Sequence, residues 1–99
     1  MYLKIHSSYR NVVAICDADL IGKKFEEGKR QLDLRENFYK SDNILTEEQV
    51  IKLIQKQIEE DATFNIVGQK ATEAAIASGL LTEKDVDKIQ NIPFALTLL

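Results

Sequence analysis

The stretch TEEQVIKLIQKQIEEDA, residues 46–62, constrains the fold more than any other part of the chain. Thr46 stands three residues before Gln49, the spacing of a capping box, in which each side chain satisfies the other residue's backbone N–H. Val50, Ile51, Ile54 and Ile58 follow at helical spacing and make one apolar stripe. Glu47 and Glu48 suit the positive end of the helix dipole. The pairs Glu48–Lys52 and Lys56–Glu60 each add about 0.2–0.5 kcal/mol. This is an amphipathic helix, and one side of it must be buried against something else.

The residues before it supply that surface. YLKIH alternates, with Leu3 and Ile5 on one side and Tyr2, Lys4 and His6 on the other. SSYRN carries turn chemistry, and VVAIC is a β-branched, more deeply buried run, so a β-hairpin is expected. Asp17 and Asp19 then introduce a short helix over about 19–27, with Leu20, Ile21 and Phe25 inward and Gly28 at its C′ position. KRQLDLRENFYK reads as a half-exposed strand through Leu32 and Leu34, followed by an irregular aromatic stretch at Phe38 and Tyr39.

After the long helix, TFNIVG reads as a short buried strand and QKATEAAIAS as a second helix ended by Gly79. Its Ala71, Ala74, Ala75 and Ser78 make a small-residue face that permits close backbone approach. TEKDVDKIQ repeats the cap pattern through Thr82 and Asp85 and predicts a third helix, closed by Pro93. FALTLL then places Phe94, Leu96 and Leu98 on one side at period two, as an edge strand over 94–99.

Strands first and helices later, with one strand between helices, predict an α+β fold. The expected arrangement is a small N-terminal antiparallel sheet with two to three helices on one face. A single domain over 1–99 is expected: strands and a short helix over 1–40, helices over 46–90. A chain of this size buries roughly two-thirds of its unfolded surface, so its core needs neither disulfide nor metal.

Composition then narrows the function classes. One cysteine and one histidine exclude Cys/His structural zinc sites, and Cys16 reads as a small buried hydrophobe. No apolar run approaches the roughly 18 residues of a membrane span, and the first ten residues do not read as a secretory signal. A cytoplasmic protein with no membrane partner is expected. The net charge of −3 is unevenly distributed: residues 1–40 carry +2 and residues 41–99 carry −5. The basic excess gathers at Lys23, Lys24, Lys29, Arg30 and Arg35. Such a cluster suits an RNA backbone or an acidic protein surface, because long-range attraction steers the encounter.

Three places have the composition of a chemical site. CDADLIGKK resembles a phosphate loop only superficially: Asp17 stands where that loop needs glycine, and Lys24 where it needs a hydroxyl. Asp17 and Asp19 have the i,i+2 spacing of a magnesium-binding carboxylate pair, and equally that of residues that cap and bend a chain. Gly68, Gln69 and Lys70 lie between a strand and a helix, where free N–H groups present themselves to an anion. Cys16 with His6 is the one nucleophile–base combination, and no orienting third group accompanies it. No catalytic residue and no cofactor is assigned.

The stretches DLIGKKFEEGKRQLDLRENFYK, FNIVGQKA and SGLLTEKDVDKIQNIPFA together resemble the small archaeal proteins of the domain of unknown function family 424. The resemblance covers nearly the whole chain. The family's last motif usually reads Gly-Val-Pro-His-Ala-Gln, and here Asn91 to Leu96 stand in its place, with Phe94 for the histidine. The family name assigns no activity. A widespread small archaeal protein implies information processing, such as translation or RNA handling.

Two functions from different classes follow. The first is a non-enzymatic binding or adaptor module that docks on a protein or ribonucleoprotein partner, with RNA approached through the basic cluster and self-association through the C-terminal strand. The alternative is a small magnesium-dependent or nucleotide-binding enzyme that uses Asp17, Asp19, Lys23 and Lys24.

Overall fold

The capping box forms where the sequence places it. Thr46 Oγ1 accepts from the Gln49 N–H at 3.2 Å, and Gln49 Oε1 accepts from the Thr46 N–H at 2.9 Å. The structure, a computed structural model, describes residues 1–98. In chain order they form β1 (Tyr2–His6), β2 (Val12–Cys16), β3 (Lys24–Glu27), β4 (Arg30–Asp33), α1 (Glu36–Tyr39), α2 (Glu47–Glu59), β5 (Thr63–Val67), α3 (Gln69–Ala77), β6 (Asp87–Ile89) and β7 (Ile92–Thr97). Short 3-10 turns occupy Ala18–Leu20 and Glu83–Asp85.

Five strands make the main sheet in the order β1-β2-β5-β7-β6, and β3 with β4 forms a separate two-stranded hairpin. The fold is mixed α+β, as expected. All pairings in the main sheet are antiparallel except β2 with β5, which run parallel.

Both faces of this sheet are covered. VVAIC is apolar at every position because β2 is a central strand. Val13 and Ile15 join Phe64, Ile66, Val50, Ile54 and the Ala71, Ala74 and Ala75 face of α3 on one side. Ala14 and Cys16 meet Leu20, Leu32, Leu34, Tyr39 and Val67 on the other. Ala71, Ala74 and Ala75 of α3 are fully buried, which lets the helix lie close to the strands beneath it, while Ser78 is half-buried.

As expected, two helices, α2 and α3, pack on one side of the sheet, while α1 and the β3–β4 hairpin cover the other. Other expectations are corrected. No helix runs over 19–27. Phe25 pairs with Leu32 across the hairpin, and Gly28 takes the first turn position, with φ +64°. That is the place a two-residue II′ turn reserves for glycine. Leu20 is buried, Ile21 and Phe25 are half-buried, and Lys23 and Lys24 are exposed.

Phe38 and Tyr39 belong to the one-turn helix α1. The third helix is only a 3-10 turn, capped by Asp85 Oδ2 accepting from the Thr82 N–H at 2.8 Å. Asp87–Ile89 then form a strand, turned into β7 by Gln90 and Asn91 at φ 49° and 63°. Pro93 closes no helix and sits in β7 opposite Gly68. Its carbonyl accepts from the Gly68 N–H at 2.8 Å, while the Gly68 carbonyl serves the Thr72 N–H and hydroxyl. A donor at residue 93 is therefore not needed, which is why proline fits inside this strand. Nor is 94–99 an edge strand: β7 lies between β5 and the three-residue β6, and Leu99 of that stretch lies outside the described residues.

Candidate functional site

Parallel pairing of β2 with β5 brings their carboxyl ends side by side, with Cys16 opposite Val67. Two of the predicted sites, Asp17 and Gly68, 51 residues apart in sequence, therefore meet. The Asp17 N–H donates to the Val67 carbonyl at 3.1 Å. The Asp17 carboxylate then reaches across to the start of α3, accepting from the Lys70 N–H at 3.1 Å and the Ala71 N–H at 2.8 Å. A carboxylate at that end of a helix satisfies orphan donors and opposes the positive end of the dipole.

Gly68 makes this approach possible. It adopts φ +115°, and a Cβ there would fall 2.3 Å from Asp17 Cγ. The anion position formed by Gly68, Gln69 and Lys70 thus holds an anion of the chain itself. Gln69 is engaged as well, its Nε2 donating to Glu73 Oε1 at 2.7 Å.

A cavity of about 540 Å³ opens beside this junction, lined by Met1, Asp17, Ala18, Asp19, Ile44, Gln69 and Lys70. Asp17 is buried and Asp19 is exposed. Among the described residues, no group of three or more His, Cys, Asp or Glu is placed to hold a metal ion. Asp17 and Asp19 both line the cavity, with the Asp17 carboxylate turned to the start of α3.

Cys16 and His6 are kept apart, because the β1–β2 register sets Cys16 against Tyr2 and His6 against Val12. Burial, aided by the charges of Asp17 and Asp19, pushes the Cys16 thiol up to about 12. Its Sγ contacts the Asp17 carbonyl at 3.3 Å. His6 stacks on Phe38 with ring centroids 4.6 Å apart, and its Nε2 lies 2.8 Å from the Phe38 carbonyl. Each group is held by its own surroundings, and neither reaches the other.

The basic residues lie along the hairpin and just beyond it. Lys24 pairs with Glu26 at 3.4 Å, Arg35 with Asp33 at 2.9 Å and Arg30 with Asp87 at 2.8 Å. The Arg30 guanidinium also lies 5.6 Å from the centre of the Phe94 ring. Lys23 and Lys29 are exposed at opposite ends of the hairpin, roughly 15–20 Å apart along extended chain. The tip is braced on the β6–β7 turn, where Glu27 Oε1 accepts from the Gln90 N–H and Gln90 Nε2 donates to the Glu26 carbonyl. The five cations therefore form a line interleaved with acids. Asp87 and Phe94, which fix Arg30, carried no signal in the sequence because they lie 57 and 64 residues further on.

The far end of β7 is different. Gly68 donating to Pro93 directs the backbone groups of Pro93, Ala95 and Thr97 toward β5, and those of Ile92, Phe94 and Leu96 toward β6. β6 stops at Asp87, opposite Phe94, so the Leu96 N–H and carbonyl project past its end. Leu96 and Leu98 are 56% and 75% exposed.

These features define a small mixed α+β domain with a sheet covered on both faces and an internally capped strand–helix junction. The chain belongs to the family described as protein of unknown function (DUF424), whose profile matches residues 5–98. Among solved structures, it is similar to an uncharacterized conserved protein from Methanopyrus kandleri. The two are 25% identical with a TM-score of 0.86, over 97% of this chain and 88% of that one. No curated protein matches the chain. No helix among the described residues is long and apolar enough to cross a membrane.

Proposed function

We propose that this chain is a non-enzymatic binding module that docks on a protein or ribonucleoprotein partner in translation or RNA handling. The observation that carries the reading is the end of β7, where the outward backbone groups of Leu96 and the exposed side chains of Leu96 and Leu98 lie together. An extended segment of a partner adds to such an edge through main-chain hydrogen bonds, with neighbouring side chains supplying selectivity. The exposed lysines of the hairpin add a charged approach surface for RNA. A magnesium- or phosphate-dependent enzyme has less support, since both Asp17 oxygens already accept helix N–H groups and Lys24 is paired with Glu26.

Affinity capture with the wild-type chain and the Leu96→Lys variant tests the proposal, with sedimentation reporting self-association. A partner held by wild type and lost by Leu96→Lys, at an unchanged thermal midpoint, is the expected result. Equal capture by both proteins overturns the role of β7.

A further inference from the structure

Beneath the hairpin lies a cavity of about 230 Å³, lined among others by Leu32, Asp33, Tyr39, Asn65, Phe94 and Leu96. It is enclosed by the β3–β4 hairpin and α1 on one side and by β5 and β7 on the other. Its volume falls just below the roughly 300–1,000 Å³ of drug-sized pockets. One ring system fits that space better than a whole nucleotide.

Two polar groups in this cavity lack a protein partner. Tyr39 is only 7% exposed, yet its hydroxyl makes no hydrogen bond to any described residue. The hydroxyl is not sealed off, since no buried side-chain oxygen or nitrogen among the described residues is left unpaired. Tyr39 is one of the residues that line this cavity. Burial first, then the neighbouring Cys16 and Asp33, pushes the phenol up to about 12. At neutral pH it is a hydrogen-bond donor.

Asn65 is the second group. It occupies the middle of the central strand β5, between Phe64 and Ile66, with Ala14 and Leu96 opposite. Asparagine is disfavoured in strands, and its half-buried carboxamide makes no hydrogen bond to any described residue. It presents one donor and one acceptor beside the apolar surfaces of Leu32 and Phe94. Asp33, whose Oδ2 already accepts from Arg35 Nε at 2.9 Å, disfavours an anion at the rim.

We propose that this cavity binds one neutral planar lactam ring of the nucleobase type. The ring carbonyl accepts from the Tyr39 hydroxyl, the adjacent ring N–H donates to the Asn65 carbonyl oxygen, and the ring lies against Phe94. The same edge is offered by a free base and by an unstacked base in an RNA strand. This site does not depend on strand addition at β7.

Titration of the isotope-labelled protein with uracil, uridine and a short oligouridylate, followed by amide NMR, tests the proposal. The expected result is a saturable shift of the Asn65 side-chain amide. Tyr39→Phe, which removes one oxygen, should weaken it about tenfold, and Asn65→Leu by a similar factor. Oligouridylate binding more tightly than uridine assigns the site to RNA, and equal affinities assign it to the free base. Toluene serves as a control of similar size without polar atoms. An absent Asn65 shift at millimolar uracil, equal binding of toluene, or unchanged affinity in both variants would each overturn the proposal. Thermal midpoints measured in parallel separate lost binding from lost folding.

Discussion

The two faces of the sheet are built to different standards. Under α2 and α3 the contacts are apolar and closed: Val13, Ile15, Val50, Ile54, Phe64 and Ile66 are at most 1% exposed. Under the hairpin the layer contains a thiol, a phenol and a carboxamide among half-buried aromatics, held at its rim by ion pairs. Exposed pairs of that kind contribute about 0–1 kcal/mol each. One face supplies stability, while the other spends some of it on polar groups and a cavity.

Truncation is the harshest way to break this comparison. Phe64→Ala on the helical side should cost about 3–5 kcal/mol in denaturant unfolding, whereas Phe25→Ala on the half-buried hairpin should cost about 1–2 kcal/mol. Equal losses would show the two faces to be equivalent.

Next in size is the junction that both faces share. Asp17→Ala strips the Lys70 and Ala71 N–H groups of their acceptor and should cost about 2 kcal/mol. A variant as stable as wild type would mean that solvent caps α3 equally well.

A further effect is specific to the hairpin face, which holds the ionisable thiol, and it shows only at alkaline pH. The Cys16 thiol is raised from its ordinary 9.0 to about 12, so in this window the unfolded chain loses a proton that the folded chain keeps. Stability therefore falls as pH rises from about 9 toward 12, and Cys16→Ala should flatten that decline in unfolding followed against pH.

The smallest stability effect belongs to the outer lysines. Converting Lys23, Lys24 and Lys29 to Glu, with Arg30 spared because it holds Asp87 and Phe94, should change stability by less than about 0.5 kcal/mol. If these residues neutralise about three phosphates of single-stranded RNA, log affinity falls with log salt at a slope near −2, and the triple variant flattens it. An unchanged slope would remove RNA from the hairpin's role.

The same division governs what was legible in the sequence. α2 could be read because its cap lies three residues from its partner and its stripe repeats every turn. The hairpin could not, because Leu20, Ile21 and Phe25 fit helical spacing as well as extended chain, and Leu32 decides only once it lies opposite Phe25. β6 escaped because Asp87 and Lys88 are exposed and polar, leaving Ile89 as its one buried residue. Asp17 was recognisable as a capping residue, but the helix it caps begins 52 residues later. Tyr39 and Asn65 share a cavity only through the tertiary fold.

Parallel pairing of β2 with β5 also sets the order in which the domain can assemble. The β1–β2 hairpin needs only residues 2–16, but Val12 finds Thr63 only after 50 intervening positions have been gathered in. The other side of β5 is closed by Phe64 with Thr97, 33 positions on. Neither long closure is rewarded until the strands meet, so the barrier is largely one of chain entropy and folding is slow for a chain of this length. Until then β2 offers an unpaired, wholly apolar edge, and the nascent chain is at its most aggregation-prone during that interval.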